Sequence, residues 1–139
     1  FRKEACNSLA SSLSMGNYGA TILAGDRDPS MVTIAKNNCT ILGAAITTYS
    51  GDFLTEKLTI EGKHILCTMN PPYGKRIADD DTAGIYSRLS YIFENWYPAW
   101  SFCIIIPLSL RHVFTVPVTK EIRFNNGGLP VIALIGRER

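Results

Sequence analysis

The chain has 139 residues, 46% of them apolar and 19% charged, with a net charge of +2. That length allows one domain at most and a real core, and the balance is that of a soluble globular chain. The charge is too weak to stand as evidence for nucleic acid, since a domain that grips RNA by electrostatics alone usually shows a basic stripe. No apolar run is long enough to span a bilayer, and no signal peptide appears at the start.

In chain order, apolar residues at Phe1, Ala5, Cys6, Leu9, Ala10 and Leu13 have the period of an amphipathic helix, closed by Gly16-Asn17-Tyr18-Gly19. A first residue of Phe rather than Met reads as a fragment or a processed product. Ala20 to Gly25 is a short β-run ending in Asp26-Arg27-Asp28-Pro29. Asp28 stands where an N-cap belongs and Pro29 at the first helical position, so a helix follows, with Val32, Ala35, Cys39 and Leu42 on one face and a stop at Gly43. Ala44 to Tyr49 is a second strand, leading into Ser50-Gly51-Asp52-Phe53.

An apolar run from His64 to Met69 predicts a third strand, which enters Thr68-Met69-Asn70-Pro71-Pro72-Tyr73-Gly74-Lys75-Arg76. Two successive prolines, each with fixed φ and no N–H, allow neither a helix nor a continued ladder. The chain must leave the sheet at Asn70, presenting an amide, backbone carbonyls and an aromatic ring together. That set suits gripping a planar base by its exocyclic amino group.

Beyond a charged loop with Asp79-Asp80-Asp81, residues Ile85, Tyr86, Leu89, Ile92, Phe93, Trp96 and Tyr97 predict a helix that Pro98 terminates. Ser101 to Pro107 is a continuous apolar run, expected as a strand buried on both faces. Thr119–Phe124 and Leu129–Gly136 are two further strands, joined at Asn125-Asn126-Gly127-Gly128 as a hairpin. The order predicts an α/β fold with a mostly parallel sheet and a terminal antiparallel hairpin. Cys6, Cys39, Cys67 and Cys103 lie singly in apolar patterns without metal-ligand spacing, which predicts reduced thiols, no metal site and a cytoplasmic setting.

Ligands of open parallel sheets collect beyond the carboxyl ends of strands. Asp26, Asp52 and Asn70 fall at three such ends and are expected to share one rim. A carboxylate at Asp26 can accept both hydroxyls of a ribose. A turn aspartate before a helix is the alternative there, and an Asx turn is the alternative for Asp52.

The segment Asn70-Pro71-Pro72-Tyr73 resembles the catalytic motif of class I methyltransferases that use S-adenosylmethionine to methylate exocyclic or amide nitrogens. Extended through Gly74-Lys75-Arg76, it is most similar to THUMP-associated RNA guanine-N2 methyltransferases and their RNA methylase relatives. Phe124-Asn125-Asn126-Gly127-Gly128-Leu129-Pro130-Val131 resembles the C-terminal stretch of the same group. The shorter motif is shared with DNA adenine-N6 and protein glutamine methyltransferases, and a non-catalytic methyltransferase-like subunit is a further alternative.

The resemblance implies a Rossmann-like sheet entered at the helix after the first strand and glycine-rich loop, both missing here. It makes residues 1–139 a partial catalytic domain, with half a cofactor pocket and weak or no S-adenosylmethionine binding by itself. It implies catalytic roles for Asn70, Pro71, Pro72 and Tyr73. Cofactor contacts would come from Asp26 at the ribose, Asp52 and Phe53 at the adenine, Arg27 beside it, and Asn70. Arg27 departs from the apolar residue usual in relatives. Tyr73, Gly74, Lys75 and Arg76 would meet the substrate, an RNA (tRNA or rRNA) captured with the help of an additional N-terminal domain. For Lys75 and Arg76 a solvated loop pair is the first reading, and contact with a substrate phosphate the second.

Overall fold

The computed structural model describes residues 21–41, 43, 46–73 and 82–136, which fall into two compact units, one ending at Glu56 and the other beginning at Lys57. The expected helix and turn before residue 20, Cys6, Leu42, and Gly74, Lys75, Arg76 and the aspartates 79–81 lie outside the described residues.

In the first unit, strand β1 (Leu23–Asp26) pairs in parallel with β2 (Thr47–Ser50), in a register that sets Asp26 opposite Ser50. Among the described residues, Thr21, Ile22 and Ile46 of the expected apolar runs fall outside the two strands. Helix α1 (Pro29–Ile41) crosses between them. Its start follows the expected chemistry. The Asp28 side chain accepts a hydrogen bond from the Ser30 N–H at 2.8 Å, and proline occupies the first helical position, where its missing N–H costs nothing. Gly43 ends it with φ of 65°, a left-handed conformation that a side chain would disfavour.

The second unit holds a four-stranded sheet in the order β3 (Leu66–Met69), β4 (Ser101–Pro107), β6 (Leu129–Gly136), β5 (Lys120–Asn126). β3 and β4 are parallel, linked by helix α2 (Thr82–Asn95), while β6 runs antiparallel to both β4 and β5. The α/β class with parallel pairing and a C-terminal hairpin is therefore present. Between β5 and β6 only Gly127 and Gly128 intervene, at φ of 59° and 85°, the paired positive angles that a two-residue hairpin turn demands.

Most of this unit's core lies on one face of the sheet, although Val131 and Ala133 of β6 are buried on the other. Tyr86, Leu89, Ile92 and Phe93 from α2 are buried together with Phe102, Ile104 and Ile106 from β4 and Ile132 and Leu134 from β6. Phe93 meets Phe102 at a ring separation of 4.9 Å. The expectation that Ser101–Pro107 is buried on both faces needs correction. Its residues alternate, with Phe102, Ile104 and Ile106 buried and Cys103 and Ile105 only half covered. An unbroken apolar run cannot reveal that alternation, because both faces carry aliphatic side chains. Helix α2 starts at Thr82, one turn before the first periodic residue, and stops at Asn95, ahead of Pro98. Trp100 stacks on Tyr97 at 3.9 Å, and Trp96 lies under the Arg88 guanidinium at 4.7 Å, so both tryptophans pack at the helix end.

Cys39, Cys67 and Cys103 are free and half-buried. Burial pushes the Cys67 thiol up to about 11, which keeps it protonated and unreactive at neutral pH. No helix among the described residues is long and apolar enough to cross a membrane.

Candidate active site

Parallel pairing brings the carboxyl ends of β1 and β2 to the same edge of the first unit. Asp26 closes β1, and its carbonyl accepts the Gly51 N–H at 3.1 Å. Asp52 follows one residue later, so Asp26 and Asp52 occupy adjoining turns at one rim. Each carboxylate uses one oxygen locally: Asp26 Oδ1 accepts the Asp28 N–H at 2.9 Å, and Asp52 Oδ1 accepts the Leu54 N–H at 2.9 Å. The turn geometry that was the alternative reading of both is thus present. It is compatible with ligand binding, since a carboxylate has four lone-pair sites and an Asx turn takes one. Arg27 is exposed beside Asp26, and Phe53 is half-buried beside Asp52.

The Asp52 turn is braced. The Tyr49 hydroxyl donates to Glu56 Oε2 at 2.8 Å, and the Asp52 N–H donates to Glu56 Oε1 at 3.2 Å. The Tyr49 hydrogen bond, then that from Asp52, holds the Glu56 carboxyl below the usual carboxylate range. A group depressed in this way keeps its contribution above its unfolded pKa and loses it as pH falls through the folded one, so the brace opens only in acid. Gly51 makes room for it: a Cβ there would lie 1.9 Å from the Tyr49 hydroxyl oxygen and 2.7 Å from Glu56 Oε2. Gly51→Ala is expected to break the Tyr49–Glu56 bond and speed amide exchange at Asp52 and Leu54 several-fold, as measured by hydrogen exchange.

Asn70, Pro71, Pro72 and Tyr73 belong to the second unit. They leave the carboxyl end of β3, where Met69 is the last strand residue, paired with Ile104. Among the described residues every peptide bond is trans, so the prolines redirect the chain by their fixed φ alone. Asn70 is exposed, which leaves its amide open to a ligand, and Tyr73 is half-buried. The Tyr73 ring forms one wall of a cavity of about 320 Å³. Its other walls are Pro107 at the end of β4, Ser109 and Leu110 in the 3₁₀ helix Leu108–Val113, Thr82 at the start of α2, and Leu129, Pro130 and Val131. The cavity is half open to solvent, and its walls are mostly apolar with a few hydroxyls.

The Asn126 side-chain amide donates a hydrogen bond to the Tyr73 phenol oxygen. Tyr86, fully buried on α2, leaves its hydroxyl without a partner among the described residues; burial first, then the nearby Tyr73 phenol, raises its pKa. His64 is exposed.

The contributions of Thr82, Ser109 and Asn126 are absent from the sequence reading. Thr82 and Ser109 lie in connections whose path only the fold reveals. The sequence places Asn126 in the turn, whereas the turn conformation falls on the two glycines after it.

The RMKL-like methyltransferase domain model matches residues 1–115. No curated protein gives a significant match. Among solved structures, a possible methylase from Clostridium difficile 630 is 26% identical with a TM-score of 0.72, over 86% of this chain and 32% of that one. SMU.472, assigned as a methyltransferase and solved in complex with SAH, is 21% identical with a TM-score of 0.73, over 98% of this chain and 36% of its own. A predicted N6-adenine-specific DNA methylase from Listeria monocytogenes str. 4b F2365 is 23% identical with a TM-score of 0.63, over 83% of this chain and 30% of its own. The chain therefore spans about a third of the length of these structures. With the family model covering most of its residues, the chain belongs to the RMKL-like methyltransferase domain family.

Proposed function

We propose that this chain is the catalytic part of an S-adenosylmethionine-dependent RNA methyltransferase acting on an exocyclic base amino group, guanine N2 in tRNA or rRNA. The observation that carries the reading is the exit of β3: Asn70 stands exposed at a carboxyl strand end and Tyr73, three residues on, walls a cavity. Family membership supports methyl transfer, and the complex of SMU.472 with SAH supports the cofactor. The substrate rests on the longer motif through Arg76 together with the resemblance of Phe124–Val131 to the RNA guanine methyltransferases.

The residues at hand fit the cofactor. Asp26 and Asp52 offer carboxylates on adjoining turns, one for vicinal ribose hydroxyls and one for an adenine amino group, with Phe53 beside it. S-adenosylmethionine supplies an electrophilic methyl group on a sulfonium. An aromatic amine is a weak nucleophile because its lone pair is conjugated with the ring. The Asn70 side-chain oxygen and the Pro71 carbonyl accept its two N–H bonds and favour a pyramidal nitrogen with its lone pair available. Tyr73 stacks on the base, a contact worth about 1–3 kcal/mol. No strong base is needed before transfer, since the proton leaves only from the methylated nitrogen. Rate comes from alignment. RNA capture is assigned to an additional domain, in keeping with the net charge of +2.

The likeness to an N6-adenine DNA methylase favours adenine in DNA as the second reading. Incubation of the intact protein with labelled S-adenosylmethionine and, separately, unmodified RNA, DNA or a glutamine-containing peptide separates the readings. Label in RNA, recovered as N2-methylguanosine, is the expected result.

A further inference from the structure

We infer that Asn126 is a positioning residue that holds the Tyr73 ring against the cavity, which makes the C-terminal hairpin part of the substrate subsite. The inference rests on the reading of Tyr73 as the ring that stacks on the base.

Three observations lead to it. The Asn126 amide donates to the Tyr73 phenol oxygen across 53 positions of sequence, joining the β3 exit to the hairpin. Asn126 has no conformational duty in the turn. It is the last residue of β5, paired with Leu129, while the positive φ angles of this turn belong to Gly127 and Gly128. Finally, Leu129 and Pro130, just across the turn, wall the same cavity as Tyr73. A tyrosine fixed only at its Cβ end can swing about two side-chain torsions, and a stacking plane that swings aligns nothing. A donor at the far end of the ring removes that freedom before substrate arrives.

A double-mutant cycle on the full protein tests this, with wild type, Asn126→Ala, Asn126→Asp, Tyr73→Phe and Asn126→Ala/Tyr73→Phe. The readouts are transfer from S-adenosylmethionine to unmodified transfer RNA and, separately, ribosomal RNA, and the ring signals of isotope-labelled tyrosine by NMR, with Tyr73 assigned by its loss in Tyr73→Phe. Asn126→Ala should lower kcat about tenfold, the size of one net hydrogen bond, and leave cofactor Kd unchanged. The double variant should be no worse than Tyr73→Phe alone, because the phenol oxygen is the only group through which Asn126 acts. Asn126→Asp should recover most of the rate, since the phenol can donate to a carboxylate. The Tyr73 ring signal should shift in Asn126→Ala and return towards wild type in Asn126→Asp. Additive losses in the double variant, or a ring signal unmoved by Asn126→Ala, overturn the positioning role even if methylation proceeds. No transfer to any RNA, with the ring signal still shifting, overturns the proposed function instead and leaves the contact standing.

Discussion

Replacing Asn70 with alanine is expected to reduce methyl transfer by about 10²–10³-fold, the loss typical when one preorganised polar group is removed from a reacting centre. Affinity for S-adenosylmethionine should stay nearly unchanged, and so should thermal stability. The split follows from where the residue sits. Asn70 is exposed beyond the end of β3, so its truncation opens no core cavity and orphans no buried partner. Its value is confined to the amine that it would grip. Asn70→Asp keeps an oxygen acceptor at the same place and should fall between the two. Single-turnover kinetics with labelled cofactor, alongside calorimetric Kd, measure both quantities. Equal loss of rate and affinity would show that the segment serves only to shape the chain.

Local chemistry made much of this arrangement readable from sequence. Asp28-Pro29 specified the start of α1, Gly43 its end, and Gly127-Gly128 the hairpin, because each of these residue types has few conformational options. Asn70-Pro71-Pro72 announced the exit from β3 for the same reason. What stayed hidden depends on which chains lie side by side. The mostly apolar run of β4 conceals an inside and an outside, and nothing near Tyr73 in sequence points to Asn126. The short 3₁₀ helix after Pro107 was unforeseen, since Leu108–Val113 has neither a capping side chain nor enough length for a period. That helix supplies Ser109 and Leu110 to the cavity, so the least legible element is also one that shapes the candidate site.

The residue that secures this element is Phe114, and Phe114→Ala is expected to cost about 3–5 kcal/mol of stability. Its ring is fully buried, 5.6 Å from Phe102 and 6.5 Å from Phe93, both at steep angles that suit edge-to-face aromatic contact. The backbone around it is tied down independently. The Arg111 guanidinium donates to the Phe114 carbonyl at 2.7 Å and to Glu121 at 2.7 Å, and the Thr115 N–H donates to the buried Ser90 hydroxyl at 3.0 Å. With those bonds holding the chain, neighbouring side chains cannot collapse into the space that the ring leaves, and the loss should approach the upper end of the range. Against a typical domain stability of about 5–15 kcal/mol, such a loss consumes a large share. Urea denaturation of wild type and variant measures it. Phe124→Ala provides the control: the same side chain is 40% exposed on β5, so its removal should cost less than half as much. A Phe114→Ala midpoint no lower than that of Phe124→Ala would mean that the aromatic cluster does not anchor the 3₁₀ helix, and the cavity wall at Ser109 and Leu110 would then need another support.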